Sequence, residues 1–320
     1  MTKAASITSG VLAAAAAAIG GAMWFTSKTA REVESLVEQD GRIIEVLGNR
    51  LHVAETGAGP PLLLIHGLGG QMRNFGPDMI KDLARDYRVI RVDRPGSGYS
   101  ERALGATANL RAQADVMAGL IDALGLEKPT LVGHSLGGAL SLATAVYHPG
   151  TVGRLLLIAP LTQVSGVVPK AFKGLLIPAS LRKMIGMTIA VPIATLTAKQ
   201  TMELVFRPEP VPSDFAIAGG GALGFRPSAF EGASTDLHAV EEDLAEIVAG
   251  YPKISVPTAI LFGREDAILD HDAHGQITAT QIPGAKLTSV KGGHMLPFTQ
   301  QAETARWVRD AIEGSSDARG

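Results

Sequence analysis

An α/β fold built on a largely parallel sheet is what this chain predicts, and three observations carry the prediction. Short apolar runs alternate with longer stretches of helical spacing from about residue 42 onward. The run Pro61–Ile65 (PLLLI) is apolar at every position, as a strand buried on both faces requires. Residues 130–132 lead into Gly133-His134-Ser135-Leu136-Gly137 and then a helical pattern, a strand–turn–helix unit with small residues around a serine. With 320 residues, 46% hydrophobic and 19% charged, the chain can bury a sizeable core.

The elements follow in order. Residues 42–47 and 50–55 flank Gly48-Asn49 and read as a hairpin. After the PLLLI strand, 74–84 has helical spacing and 87–92 (YRVIRV) is a strand ending at Asp93. Residues 110–124 form a helix stopped by Gly125, and 139–147 a helix stopped near Pro149. Arg154–Ile158 is the next strand. From 159 to 251 the alternation fails, and prolines such as Pro169, Pro178, Pro192 and Pro208 separate apolar helical pieces. Alternation resumes with a strand at 258–262, a helix near 271–281, a strand at Lys286–Val290 and a last helix at about 299–312. The arithmetic suits one α/β domain, 41–158 plus 252–314, split by a helical insertion at 159–251.

The first thirty residues read differently. Residues 7–25 are 19 positions without a charge, preceded by Lys3 and followed by Lys28 and Arg31. As a helix they would span about 28 Å, close to a bilayer core of about 30 Å. Trp24 and Phe25 sit where interfacial aromatics sit. Residues 1–30 are therefore expected to be a membrane anchor or a cleaved export signal, separate from the fold. Basic charge at both ends leaves orientation open, and 31–40 reads as an acidic helical or linker stretch. Lys+Arg 29 against Asp+Glu 31 gives −2, so no basic field argues for a nucleic-acid partner. The absence of cysteine excludes disulfides, thiolate metal sites and thiol nucleophiles.

The chemistry concentrates at Gly133-x-Ser135-x-Gly137. A nucleophilic serine needs a sharp turn that lifts its hydroxyl above the sheet edge, and glycines two before and two after let neighbouring backbone pass. A weak nucleophile needs a base, and the base an orienting acid. Of eight histidines, His294 follows strand Lys286–Val290 within Gly292-Gly293-His294, at the sheet edge where the serine stands. His134 is expected to point away from the turn, and His271 and His274 to lie on a solvated helix start or loop. Asp266, just past the 258–262 strand, is the candidate acid, with Glu265 and Asp270 as fallbacks and a helix N-cap as its other reading. The order Ser135, Asp266, His294 is Ser…Asp…His. Oxyanion donors are expected at the backbone N–H of Leu136 and of Leu68, the latter within His66-Gly67-Leu68-Gly69.

These motifs, with Asp93-Arg94-Pro95-Gly96-Ser97-Gly98-Tyr99-Ser100, resemble the serine-nucleophile, cap-bearing α/β-hydrolases over about 42–313. The resemblance implies an eight-stranded, mostly parallel sheet with helices on both faces and a helical cap inserted after the sixth strand, and a structural role for 93–100. It implies no metal and no organic cofactor. Serine at position 135 argues against haloalkane dehalogenases and epoxide hydrolases, which carry aspartate there. The expected activity is cleavage of a carboxylic ester or lactone with an apolar group, under an apolar cap. One alternative is a carbon–carbon hydrolase of ring-cleavage products, whose elbow usually reads S-M-G-G; this chain has Ser135-Leu136-Gly137-Gly138. Its substrate carboxylate would call on Arg182, Lys183, Lys199 or Arg207. Another is a non-catalytic membrane-tethered binding protein. Residues 175–196 are apolar enough to pass for a membrane span, but Arg182, Lys183 and two prolines favour cap helices, with shallow membrane contact as a second reading.

Overall fold

Strand β3 (Pro61–Ile65) shows why the middle of the sheet reads as an unbroken apolar run. Leu63 and Ile65 join the core on one face, and Leu62 and Leu64 the core on the other. The computed structural model describes residues 2–164 and 166–314, with side chains from residue 12 onward. The other strands are β1 (Arg42–Val46), β2 (Asn49–Thr56), β4 (Arg88–Val92), β5 (Thr130–His134), β6 (Arg154–Ile158), β7 (Thr258–Gly263) and β8 (Lys286–Val290). They form one eight-stranded sheet in the order β1-β2-β4-β3-β5-β6-β7-β8. β2 pairs antiparallel with β1 and β4, and all pairings from β4 to β8 are parallel.

Helices cover both faces. They are α1 (Thr2–Leu36), α2 (Pro77–Leu83), α3 (Leu110–Ala123), α4 (Leu136–Tyr147), α5 (Ala179–Ile185), α6 (Val191–Phe206), α7 (Pro227–Ala239), α8 (Glu241–Gly250), α9 (Thr278–Gln281), α10 (Leu296–Thr299) and α11 (Gln301–Glu313). Met117 and Leu120 of α3, Leu140 of α4 and Ile247 of α8 pack on the Leu63 face; Met79 and Leu83 of α2 and Val308 of α11 pack on the Leu64 face. Between β6 and β7 the chain is helical, and its α5 and α6 are joined through a π-helical turn, Gly186–Ala190, into one run.

Several elements differ from the sequence expectation. The hairpin turn is Leu47-Gly48, both with positive φ (49° and 76°), one residue earlier than expected. Asn49 belongs to β2, and its side-chain amide donates to the carbonyls of Val46 and Leu47, closing the turn from inside the strand. The first helix after β3 starts only at Pro77, because Gln71 and Asn74 cap a separate short turn at Met72–Asn74. The helix near 271–281 is a π-helical turn, Asp272–Ile277, followed by the single turn of α9.

The largest difference is at the N-terminus. No boundary falls at residue 30, because α1 runs unbroken to Leu36 and its last turns are part of the fold. Val33 and Val37 are buried against Ala222 and Leu223, Glu34 pairs with Arg226, and the Thr26 hydroxyl donates to the Thr188 carbonyl. The side chains at 7–11, the start of the uncharged run, lie outside the described residues. Because Leu64 is fully buried on the face that α2 and α11 cover, Leu64→Ala is expected to lower the urea midpoint by the equivalent of about 2–5 kcal/mol with an unchanged slope.

Candidate active site

Ser135 sits between β5 and α4 with φ 55° and ψ −120°, a backbone conformation that non-glycine residues rarely hold. The neighbours make room for it. A Cβ on Gly137 would run into the Ile65 carbonyl oxygen, and one on Gly133 would lie 2.5 Å from the Gly137 carbonyl oxygen. A Cβ on Gly67 would lie 2.9 Å from that of Ser135, so the loop after β3 approaches the serine only as glycine.

His294 follows β8, and Asp266 follows β7. The His294 Nδ1–H donates to Asp266 Oδ2 at 2.7 Å, both side chains being almost fully buried. The other oxygen, Oδ1, accepts the N–H groups of Ile268 and Leu269, so one carboxylate both caps its own turn and holds the His294 ring. Burial pushes the Asp266 carboxyl up, but the His294 imidazole and the two backbone donors outweigh it and hold it below the ordinary carboxylate range. With Nδ1 committed as donor, the lone pair of the neutral ring is on Nε2. Ser135 and His294 line the same cavity. No hydrogen bond joins the Ser135 hydroxyl to the His294 imidazole among the described residues; in serine hydrolases such a bond often tightens only in the complex with substrate.

The loop after β3 is held by a side chain that the sequence reading had placed only in a structural motif. Arg94, fully buried, donates Nε to the His66 carbonyl at 3.0 Å and a terminal NH2 to the Gly67 carbonyl at 3.0 Å. The Gly67 carbonyl also accepts from His66 Nδ1 and Gly70 N. In a trans peptide the next N–H points opposite the carbonyl. Pinning Gly67 C=O therefore aims the Leu68 N–H the other way. Leu68 lines the cavity beside Ser135, and Leu136 N–H opens α4, where first-turn amides lack intrahelical acceptors.

Arg94 is tied to the region above the sheet. Its other terminal nitrogen donates to Asp236 Oδ2 of α7 at 2.7 Å, and Arg102 reaches Asp236 Oδ1 at 2.5 Å. Both side chains of the Arg94–Asp236 pair are wholly buried. Arg94 and Asp236 thus tie the loop after β3, the candidate oxyanion loop, to the helical insertion. The sequence signal available was an arginine two residues before a tight glycine turn; nothing local marks Asp236, because its partner lies 142 positions away.

The Asp93–Ser100 turn is built on Asp93. Its carboxylate accepts from Met72 N, Tyr99 N and His52 Nδ1, and a Cβ on Gly98 would collide with it. His52 also donates Nε2 to the Asp40 carbonyl, so both ring nitrogens are donors. Burial alone would lower its pKa, but Asp93 and Asp40 raise it.

Two histidine expectations fail. His134 lines the cavity, donates Nε2–H to the His294 carbonyl at 2.9 Å, and packs its ring 4.9 Å from that of His294, so it braces the candidate base. His274 is buried, and its Nδ1 accepts the N–H groups of Thr162 and Gln163, anchoring the segment that leaves β6. Burial drives the pKa of His134 down to about 3, with His294 adding to the effect, and that of His66 to about 4, with Arg94 adding.

The cavity over Ser135 has a volume of about 480 Å³. Its cap walls come from the turn before α5, from α5, α6 and α7, and from the segments between them, including Phe172, Ile185, Val191, Val205, Phe215 and Phe230. Among the described residues no lysine or arginine lines it. Arg182 is turned to the Ile177 carbonyl and Thr235, Lys199 is exposed beside Glu203, and Lys183 and Arg207 are exposed.

A family model described as the alpha/beta hydrolase fold matches residues 60–301. A 2-hydroxymuconate semialdehyde hydrolase of Pseudomonas sp. (strain CF600) is 41% identical over 120 residues, which is 37% of this chain and 42% of that protein, so the match spans under half of the relative. Two solved structures share the fold at 22% identity and a TM-score of 0.69. An esterase from Thermogutta terrifontis matches over 86% of this chain and 99% of its own, and a membrane phospholipase A over 98% and 99%.

Two outcomes follow from this geometry. Asp236→Ala leaves the buried Arg94 without its carboxylate and is expected to cost about 3 kcal/mol, read as a lower urea midpoint. For pH, His66 and His134 have folded pKa values below the ordinary 6.5, so the unfolded chain takes up the extra protons and stability falls as pH drops from 6.5 toward 4. The raised His52 contributes fully throughout that window, and the lowered Asp266 loses its contribution only below about 4. Between pH 6.5 and 5 the two histidines are expected to remove about 1.5 kcal/mol each, and an unchanged urea midpoint over that interval would refute the assignment.

Proposed function

Since the chain belongs to the α/β-hydrolase fold family, we propose that it is a serine hydrolase that cleaves the carboxylic ester or lactone of a substrate with a long apolar group. The observation that carries this reading is the cavity over Ser135, walled by aliphatic and aromatic side chains and free of cationic ones. Ser135 Oγ attacks the ester carbonyl carbon while His294 Nε2 takes its proton. The N–H groups of Leu68 and Leu136 receive the negative charge on the carbonyl oxygen. The intermediate collapses, the alkoxide leaves with the proton held by His294, and the acyl group stays on Ser135. Water, deprotonated by His294, attacks the acyl carbon; the acid departs and the serine regains its proton. Asp266, kept ionised, fixes the ring tautomer and stabilises the imidazolium.

The second reading, carbon–carbon hydrolysis of a ring-cleavage product, draws on the 41% identity to the Pseudomonas enzyme. Such a substrate brings a carboxylate that a cationic or strongly polar wall must meet, and the cap cations do not supply one. Nearest in kind are the amides Gln71 and Asn74, both already donating to the Gly219 carbonyl.

We further propose that residues 7–25 hold the protein on a membrane; the likeness to a membrane phospholipase A over 98% of this chain supports that reading. A series of p-nitrophenyl esters tests the chemistry. kcat/KM is expected to rise by about three- to fourfold per added CH2 until the cavity is full, and Ser135→Ala to remove about four orders of magnitude or more of kcat. Faster turnover of a dienoic ring-fission acid than of any ester would select the second reading. Failure of a fluorophosphonate to label Ser135 in folded protein would leave a binding protein.

A further inference from the structure

The helical run 179–206 has two contrasting sides. One lines the cavity through Ile185, Ala190, Val191, Ala194 and Val205. The other leaves Leu181, Met184, Ile189, Ile193 and Leu196 exposed. Their spacing of three, five, four and three places them on one stripe, the step of five falling where the π-helical turn inserts its extra residue. Ile189 and Ile193 belong to both sides: exposed to solvent, they also line the cavity, so its mouth opens onto this apolar stripe.

The segment that carries the stripe has charge of one sign, and Glu203 stands just past its end. Between Leu161 and Met202 the chain has no aspartate or glutamate, and Lys170, Lys173, Lys183 and Lys199 are exposed there, Lys199 with Glu203 at 3.9 Å. Apolar surface rimmed by lysines is the composition of an interfacial membrane contact with anionic headgroups.

Helix α1 supplies the height. Its uncharged stretch ends at Trp24 and Phe25, both exposed, and the next residue, Thr26, bonds the Thr188 carbonyl in the π-helical turn. One residue along a helix is about 1.5 Å. If 7–25 lie in the bilayer, Thr188 stands at the headgroup level, with the lysine-rimmed stripe beside it.

We propose that this cap face, Leu181 to Leu196 with its lysines, rests in the surface of an anionic bilayer, so that an amphiphilic ester enters the cavity from the lipid between Ile189 and Ile193. The proposal rests on the membrane and ester readings above. The occupant is the bilayer that α1 itself would enter.

The chain has no cysteine, so a single label can be placed at will. The full-length Leu196→Cys protein, carrying a polarity-sensitive fluorophore, is reconstituted into phosphatidylcholine vesicles with and without phosphatidylglycerol, and Leu104→Cys, exposed next to β2 and far along the chain from the cap, is the control. The expected result is a blue shift and loss of most emission to a lipid-borne quencher at 196, greater with phosphatidylglycerol, and neither at 104. Equal exposure to water at both positions overturns the proposal. So does shielding of 196 in detergent that grows with protein concentration, which would assign the face to a second copy. Met184→Glu with Leu196→Glu, outside the cavity lining, is expected to keep turnover of a water-soluble short-chain ester and lose turnover of a vesicle-embedded one; equal loss of both, or of neither, also overturns it. If unmutated protein turns over no ester, the chemistry fails while the quenching result still reads the surface.

Discussion

The fold turns on one backbone conformation. Ser135 is held at positive φ between a buried strand and a buried helix, and the strain is sustained because everything around it is packed too tightly to relax. β5 is buried along its whole length, α4 is covered by α3 and α8, and the glycines at 67, 133 and 137 let three backbone segments meet where no side chain would fit. The candidate nucleophile is therefore a product of the sheet's core and not of its loops. The loops bring it partners: Asp266 after β7 and His294 after β8, each beyond the carboxyl end of a parallel strand.

Around that elbow the buried polar groups form two supports. One is the histidine pair, His134 against His294, which the alternation of a strand alone would have separated; the sharp turn after His134 frees its ring to lie along the neighbouring loop. The other is the Arg94 cluster. A buried guanidinium is costly unless its donors are met, and here the His66 and Gly67 carbonyls, Gln113 and Asp236 accept four hydrogen bonds from it.

How much of this was legible in the sequence depends on range. Period and turn chemistry are local, so PLLLI, the strand at Arg154–Ile158 and the G-x-S-x-G turn announce themselves. The order Ser135, Asp266, His294 was readable because each follows a strand that its local pattern marks, apolar at 258–262 and alternating at Lys286–Val290. What escaped was set by distant partners. His274 has a polar sequence neighbourhood, yet it is buried because Thr162 and Gln163 need an acceptor. Asp236 sits among helix-forming residues, and only the fold brings it to Arg94. The leader looked detachable because residues 7–25 are uncharged and weakly apolar; its attachment comes from Val33 and Val37, two valines in a stretch rich in charge.

The Arg94–Asp236 link bears on how such a molecule can be recombined. In families of this architecture the region over the sheet is the natural part to exchange when a new substrate range is wanted. Here that part cannot be treated as an independent module. A chimera that replaces α7 with a helix lacking a carboxylate at the position of Asp236 would leave the wholly buried Arg94 guanidinium without its counter-charge and loosen its hold on the Gly67 peptide. Transplanted caps would have to carry that one acidic side chain, or arrive with a matching replacement for Arg94.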